Sequence, residues 1–236
     1  MSLVIFCIFL TGCATTVRKS ASFDQSVPQI KTIAVMPPDV EVYKITAGGI
    51  REMIDEWTAT SKVLIEDNLK EYLAQQYGFS MAFIKEETLK EHDEPLWIRT
   101  RGLYEAVAIS AIKHAFSGIE KFHDKTKNFD YTLGPQIEDL VKFTKADALL
   151  FVYAYDHEAT FGRKALWWWN LPLSLYTGIN LLPGNPSLMV LGLVDGKTGD
   201  LIWFKISNPR SEYSFTNPKD MEKLVQWMTR DFMVQK

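Results

Sequence analysis

The sequence predicts an α/β protein in which a mixed sheet of about five strands is covered by helices, with an apolar insertion before the final β-hairpin. Two observations predict this class. A β-forming run at 31–36, a long helical segment at 56–77 and a second β-forming run at 79–84 follow one another. This β-α-β order favours a sheet with helices packed on it. Further on, the β-forming runs 187–194 and 201–206 flank a turn rich in glycine and aspartate, which is typical of an antiparallel hairpin.

Length and composition agree with a folded domain. The chain has 236 residues, of which 47% are hydrophobic and 23% are charged. These proportions exclude a disordered chain and a membrane protein with several spans, and we expect a single domain over 30–236. The formal net charge is -3. A chain without net positive charge lacks the field that attracts nucleic acid, so no nucleic-acid partner is expected.

The first elements have local causes. Residues 31–36 are β-formers followed by Pro37-Pro38, which predicts a strand that ends at the prolines. Apolar residues recur at helical spacing over 56–77, and Gly78 follows where the end of a helix favours a left-handed residue. The charged stretch 86–95 predicts a short helix or a loop.

Later elements complete the predicted sheet and its helices. Segment 100–122 carries apolar residues on one helical face, and 136–145 predicts another helix. The run 149–155 is strongly strand-like. Asn217-Pro218 supplies an N-cap and a first-turn proline to a last helix with one apolar stripe, formed by Met221, Leu224, Val225, Met228 and Phe232.

The amino terminus has the pattern of a secretory signal. An apolar run covers 3–10, far short of the roughly 20 residues that cross a bilayer as a helix. The sequence Leu10-Thr11-Gly12-Cys13 then resembles a bacterial lipobox, which implies a diacylglycerol group on Cys13 and a signal peptide over 1–12. No Lys or Arg precedes the apolar run, and in this respect the segment departs from the usual signal peptide. The alternative is a buried apolar strand with an incidental cysteine.

This interpretation fixes the fate of both cysteines. Cys7 leaves with the signal and Cys13 carries lipid, so the mature chain has no free thiol and no internal disulfide. Residues 13–29 are predicted to be the lipidated cysteine and a flexible tether, because they are small, polar and unpatterned. Ala14, rather than aspartate, follows the cysteine, and by resemblance to enterobacterial sorting rules this implies the outer membrane.

Three segments, taken in order and spacing, resemble the α/β domain shared by several envelope lipoproteins. They are Ile33-Ala34-Val35-Met36-Pro37, Ala146-Asp147-Ala148 and Leu193-Val194-Asp195-Gly196-Lys197-Thr198-Gly199-Asp200-Leu201-Ile202-Trp203. The group includes the curli secretion-channel lipoprotein, the penicillin-binding-protein activator lipoproteins, an exopolysaccharide-export lipoprotein and the amino-terminal domain of the Tol translocation protein. The resemblance implies an anticodon-binding-domain-like sandwich of two or three layers. Because this fold serves pores, activators and scaffolds, function must be argued from a site.

No catalytic or metal-binding pattern is evident in the sequence. Gly196-Lys197-Thr198 lacks the earlier glycine at the spacing of a phosphate-binding loop and precedes a strand, so it predicts a plain turn and no nucleotide. The four histidines are not spaced as zinc ligands, and Gly-x-Ser-x-Gly is absent. Asp156-His157-Glu158 is the most suggestive cluster, although a polar strand end is the commoner explanation for such a run. We therefore expect no enzyme, no cofactor and no metal.

An apolar insertion at 161–186 is the unusual feature of the chain. Residues 165–194 contain no charged side chain, but several prolines and glycines interrupt them, which disfavours a spanning helix. Three interpretations stay open: burial or contact with a partner protein, insertion into the membrane surface, or a strand of a pore. The residues predicted to contact membrane or partner are Trp167, Trp168, Trp169, Leu171, Leu173, Leu175 and Tyr176.

These observations predict a periplasm-facing lipoprotein of the outer membrane that acts as a non-catalytic assembly, accessory or activator factor for an envelope complex. Its expected partners are the membrane, through the lipid on Cys13, and either an envelope protein or further copies of itself. The alternative is an oligomeric export-channel subunit resembling the curli secretion lipoprotein. In that case the insertion of each protomer contributes strands to a common barrel.

Overall fold

A computed structural model of the chain describes residues 16–46, 50–74, 79–116, 122–159, 187–207 and 213–232. In these ranges one mixed sheet of eight strands forms the centre of the fold, which confirms the α/β class with more strands than the five expected. The strands are β1 (Val17–Lys19), β2 (Thr32–Val35), β3 (Asp39–Ile45), β4 (Arg51–Met53), β5 (Ser80–Phe83), β6 (Ala148–Ala159), β7 (Leu188–Asp195) and β8 (Leu201–Ile206).

Helices and short helical turns connect the strands. A π-helical turn, Ile112–Phe116, follows the longest helix, and 3-10 turns lie at Val27–Gln29 and Pro135–Ile137. The helices within the described ranges are α1 (Phe23–Ser26), α2 (Asp55–Leu73), α3 (Glu86–Ala111), α4 (His123–Lys127), α5 (Glu138–Thr144) and α6 (Pro218–Thr229).

Strand β6 organises the sheet. On one side it pairs antiparallel with β7, from Ala148 opposite Asp195 to Tyr155 opposite Leu188. On the other side it pairs in parallel first with β2 and then, further along, with β3, as far as Ala159. Strands β8 and β1 extend the sheet beyond β7, while β5 pairs with β2 and β4 pairs with β3. A single long strand thus supports two different neighbours along one edge.

The prolines end the first strand, as predicted, but a bulge then lets the chain rejoin the sheet. Val35 lies opposite Leu150 and Asp39 lies opposite Tyr153, so the segment with the prolines has one residue more than β6 between these two pairs. Proline has no N–H to donate, which explains the break in the ladder at this point. Beyond it the chain returns to β6 as β3, a strand that the sequence analysis did not predict.

Helices lie on both faces of the sheet, so the sandwich has three layers. Helices α2 and α6 pack on one face, where Ile65, Leu224 and Trp203 are buried together. Helices α3 and α5 contribute Tyr104 and Leu140 to a second core on the other face. The predicted apolar stripe of α6 is buried in the first core, with the expected cap at its start, where Asn217 Oδ1 accepts hydrogen bonds from two backbone N–H groups.

The prediction of a flexible tether does not hold for the described part of 13–29. Strand β1 pairs with β8, and Phe23 and Val27, with 1% and 4% exposure, belong to the first core. Lys19 Nζ lies 4.1 Å from the centre of the Phe23 ring. Two buried apolar side chains stabilise a segment whose composition alone suggests a linker, because tertiary burial outweighs weak local preference.

The charged stretch and the helix expected after it are one helix with a break. Asp93 has extended backbone angles inside α3, and its Oδ1 accepts a hydrogen bond from the backbone N–H of Leu96 at 2.9 Å. Asp93 therefore caps the second half of α3, and Pro95 stands in the first turn of that half, where it costs little. The helix was expected to continue to Phe122, whereas α3 ends at Ala111 before the π-helical turn.

Candidate functional site

Every residue predicted from the sequence to carry lipid or to contact a membrane or partner lies outside the described residues. These are Cys13, Trp167, Trp168, Trp169, Leu171, Leu173, Leu175 and Tyr176. The described chain does show where the insertion leaves the sheet and returns to it, at Ala159 and Ser187. At this end of the sheet, β3, β6 and β8 end and β7 begins. We call it the insertion end.

Aromatic rings cover one face of the sheet at the insertion end. The ring of His157 lies 5.5 Å from that of Tyr43 and 5.5 Å from that of Tyr155, measured between ring centroids. Tyr43 Oη donates a hydrogen bond to Glu41 Oε2 at 3.0 Å. The rings share a face because side chains alternate along β3 and β6, and because Tyr43 lies opposite His157 in the parallel ladder.

Charged groups lie beside these rings, towards α3. Arg101 Nε lies 3.8 Å from Asp39 Oδ2, yet burial outweighs this pairing and raises the pKa of the Asp39 carboxyl. Burial, with a smaller contribution from the Glu105 charge, also raises the pKa of the Tyr153 hydroxyl. The face of the sheet that carries these rings is therefore polar but only partly exposed to solvent.

Carboxylates occupy the opposite face of the insertion end. Asp156 is 2% exposed; its Oδ2 accepts a hydrogen bond from the Phe215 N–H at 2.9 Å, and its Oδ1 accepts one from the His157 N–H at 2.7 Å. Burial raises the pKa of the Asp156 carboxyl to about 6, although both backbone donors favour its charged form. Glu158 Oε1 accepts hydrogen bonds from the hydroxyls of Ser214 and Thr216, the latter at 2.9 Å.

Asp156, His157 and Glu158 do not form one pocket. Because side chains alternate along β6, the two carboxylates face the loop before α6 while the imidazole faces the aromatic rings. The carboxylates hold that loop in place against the sheet, so the arrangement is structural. Among the described residues no group of three or more His, Cys, Asp and Glu side chains could hold a metal ion.

The turn between β7 and β8 is a hairpin turn, as predicted. Asp195 Oδ1 accepts hydrogen bonds from the N–H groups of Lys197 at 2.8 Å and Thr198 at 3.3 Å. Gly199 has a φ of 78°, and a side chain there would meet the Gly134 carbonyl oxygen at 2.2 Å. The backbone donors that a phosphate would need are therefore already bonded to a carboxylate.

A shallow cavity of about 240 Å³ lies next to this turn, bordered by Ile30, Asp147 and Lys197 among others. Asp147 Oδ2 accepts hydrogen bonds from the backbone N–H groups of Lys31 and Thr32 at 2.8 and 2.9 Å. This carboxylate fastens the start of β2 to the start of β6. The cavity thus lies where the Asp147 carboxylate joins β2 to β6. The motif Ala146-Asp147-Ala148 has an architectural role.

Two features at the insertion end were not found from the sequence. The β3–β4 hairpin was missed, although Val40 and Val42 alternate with polar residues, which is a strand signal. The hydrogen bonds that Asp156 and Glu158 accept from residues 214–216 join positions almost 60 residues apart. The available signal was that both carboxylates follow Val152 and Ala154 on a core-facing side of β6.

In the ranges that the structure covers, none of the helices combines the length and the apolar character that crossing a bilayer requires. The expectation that 165–194 is not a spanning helix is met at its end, where Leu188–Asp195 is a strand. The rest of that segment lies outside the described residues.

Comparison with known proteins returns remote structural likenesses. The PelC dodecamer from Paraburkholderia phytofirmans has a TM-score of 0.33 at 7% identity, with 88% of this chain and 91% of that chain covered. Lipoprotein GNA1162 from Neisseria meningitidis has a TM-score of 0.36 at 13% identity, covering 85% and 96%. The LpoB C-terminal domain from Salmonella enterica has a TM-score of 0.28 at 9% identity, covering 80% and 93%.

These neighbours are 7 to 13% identical to the chain. With TM-scores of 0.28 to 0.36 they carry no argument about function, and the fold class rests on the sheet itself. No protein-family model matches the chain, and no curated protein matches its sequence.

Proposed function

We propose that the chain is a lipoprotein of the outer membrane, anchored through Cys13 on the periplasmic side, and that it acts as a non-catalytic accessory or assembly factor for an envelope complex. The observation that carries this proposal is the lipobox Leu10-Thr11-Gly12-Cys13 directly after an apolar run of signal-peptide length. A triacylated end would anchor the domain firmly, since each buried methylene contributes about 0.8 kcal/mol.

The position of β1 supports a domain held close to the membrane. Val17 begins β1, only four residues after Cys13, and four residues span at most about 14 Å. A partner would therefore meet the domain at the membrane surface. The version of this function in which a long tether carries an activator across the periplasm loses its support, because the segment expected to be the tether is part of the sheet.

A non-catalytic role is supported by the use of the polar groups at the insertion end. Asp156 and Glu158 accept hydrogen bonds from residues 214–216, and the His157 ring lies on the opposite face of β6. These two carboxylates thus hold backbone and loop in place, and neither shares a pocket with the His157 ring.

Metabolic labelling with radioactive palmitate tests the anchor. The wild-type chain and a Cys7→Ala variant should both incorporate label, because Cys7 would be removed with the signal. Cys13→Ala should not incorporate label and should fractionate with soluble periplasmic proteins. Label retained in Cys13→Ala would contradict anchoring at this residue.

The choice of membrane is tested separately. Sucrose-gradient fractionation should place the wild-type chain in the outer membrane, and Ala14→Asp should move it to the inner membrane if the sorting pattern applies. A wild-type chain spread over both membranes, or an Ala14→Asp variant distributed like the wild type, would contradict the outer-membrane assignment. Either result would leave the lipidation proposal intact.

A second candidate function is an oligomeric export channel. The observation that favours it is that 160–186 connects β6 and β7, which are antiparallel neighbours, so the segment lies between two paired strands where a barrel hairpin would extend the sheet. Light scattering coupled to size exclusion in mild detergent separates the candidates. A closed ring that is lost on deletion of 167–184 would support the channel, and a monomer would exclude it.

A further inference from the structure

We propose that the insertion end of the sheet faces the lipid surface, and that the β3–β4 hairpin, through Ile50, Arg51 and Met53, makes a second contact with the membrane beside the lipid anchor. This inference rests on the proposed anchoring at Cys13. It adds an orientation of the domain and a membrane-contacting element that the anchor alone does not specify.

The pairing of β1 with β8 sets the direction of the backbone at Thr16. Strand β1 runs antiparallel to β8, and the N–H of Ile206 donates a hydrogen bond to the carbonyl of Thr16 at 2.9 Å. Followed backwards from Val17, the chain therefore runs the way β8 runs forwards. Strand β8 is antiparallel to β7, which is antiparallel to β6, so the backbone at Thr16, followed towards the amino terminus, points towards the insertion end.

The strands extend to different distances towards the insertion end. Thr16 lies beside Ile206, which stands level with Val190 and Tyr153 across β7 and β6. From Tyr153, strand β6 continues for six residues to Ala159, about 20 Å at the usual rise per residue. The three residues from Thr16 to Cys13 span at most about 11 Å. A lipid on Cys13 would therefore hold the membrane surface closer to the level of Thr16 than the ends of β6 and β3 are. These strand ends would then reach the membrane.

The β3–β4 hairpin carries exposed apolar side chains at that distance. Ile45 pairs with Ala159 and with Arg51, so the β3–β4 hairpin lies at the far edge of the insertion end. Ile50 is 69% exposed and Met53 is 50% exposed, and they are two of the most exposed large apolar side chains described. Apolar side chains at such a tip are buried when the tip enters the roughly 5–10 Å of the interface beneath the headgroups.

Ring chemistry at this edge also suits a lipid surface. The charges there are mixed, with Arg51 and Lys44 opposed by Glu52 on β4 and Glu41 on β3. Tyr43 and Tyr155 lie on the neighbouring strands and are only partly exposed. Tyrosine is enriched at membrane interfaces because its ring is apolar and its hydroxyl stays hydrated. We commit to lipid as the occupant because this edge is continuous with the expected anchor.

Depth-dependent quenching in vesicles tests the orientation. The full lipidated chain is reconstituted in vesicles of phosphatidylethanolamine and phosphatidylglycerol, with a single new thiol at Ile50→Cys or Lys197→Cys labelled with a polarity-sensitive fluorophore. Both positions are exposed, and Lys197 lies in the β7–β8 turn at the opposite end of the sheet. Nitroxide-labelled lipids should quench the label at position 50 several-fold more than the label at position 197.

Each outcome has a separate meaning. A chain that does not float with vesicles contradicts the anchoring proposal, and this inference with it. A chain that floats but shows equal quenching at both positions overturns the orientation while leaving the anchor in place. A label at position 50 whose emission shifts to the blue without nitroxide quenching would mean that a protein, a second copy or a partner, covers the hairpin, which also overturns the proposal.

Discussion

The buried carboxyl of Asp156 makes the stability of the domain depend on pH in a way that one substitution removes. Its pKa is about 6 in the folded chain, against 3.8 for an ordinary aspartate. Because the folded state holds the proton more tightly, this group stabilises the fold below about pH 4, and the stabilisation is lost as the pH rises through about 6. A difference of about two pKa units corresponds to about 3 kcal/mol in the free energy of unfolding.

Asp156→Asn tests this directly. Urea unfolding of a soluble chain lacking residues 1–13 gives the stability of wild type and variant at about pH 4.5 and about pH 7.5. The wild type should lose about 2 kcal/mol relative to the variant between these two values, since part of the titration lies below the lower one. Asparagine keeps one acceptor for Phe215 or His157 and removes the charge.

A matched control separates the charge from the mere loss of a contact. Asn217→Ala also weakens the region before α6 but changes no titratable group, so its effect on stability should be equal at both pH values. If the difference between wild type and Asp156→Asn is also the same at both, the carboxyl titrates in its ordinary range. The two backbone donors would then outweigh burial, and our reasoning about this site would be wrong.

Substitutions at Gly192, Asn217 and Lys205 test packing and capping, each measured as the change in the urea unfolding midpoint. Gly192→Ala should lower the free energy of unfolding by about 1–3 kcal/mol, because its Cβ would lie 2.5 Å from Tyr104 Oη in a packed core. Adding Tyr104→Phe should recover part of this loss. An unaltered midpoint for Gly192→Ala would contradict the close approach. Asn217→Ala should cost about 1 kcal/mol and Asn217→Asp much less, since aspartate also caps a helix. Lys205→Met should cost about 1–3 kcal/mol, because the buried ammonium donates to the Trp227 carbonyl at 2.6 Å; a more stable variant would mean that burying the charge outweighs that bond.

Sequence patterns predicted the elements whose local signals agree with their tertiary place. The β7–β8 hairpin has a turn whose aspartate bonds the following N–H groups, and α6 has a cap, a first-turn proline and one apolar stripe. Strand β6 was predicted over 149–155 from its β-branched and aromatic residues, although the structure extends it to Ala159. In these elements propensity, periodicity and turn chemistry all point to the same structure.

Other elements depend on contacts that no local window contains. Phe23 and Val27 are two apolar residues in a polar segment, and only the core that they enter makes that segment ordered. Pro37-Pro38 is a breaker in any local view, but a bulge lets the chain rejoin β6. At the insertion end, Asp156 is joined to a loop far along the chain, so the sequence showed a polar strand end without its partner.

The pairing of β1 with β8 also sets the order in which the fold can assemble. Val17 lies opposite Lys205, so the edge strand finds its partner only when nearly the whole chain has been synthesised. Strand β2 likewise pairs with β5 early but acquires β6 only after another 65 or so residues. Such distant pairings make closure of the sheet a slow, late event, because the entropy of long loops is lost before the contacts that offset it are made. Because β1 pairs with β8, this amino-terminal strand can join the sheet only after the carboxyl-terminal part of the chain has been made.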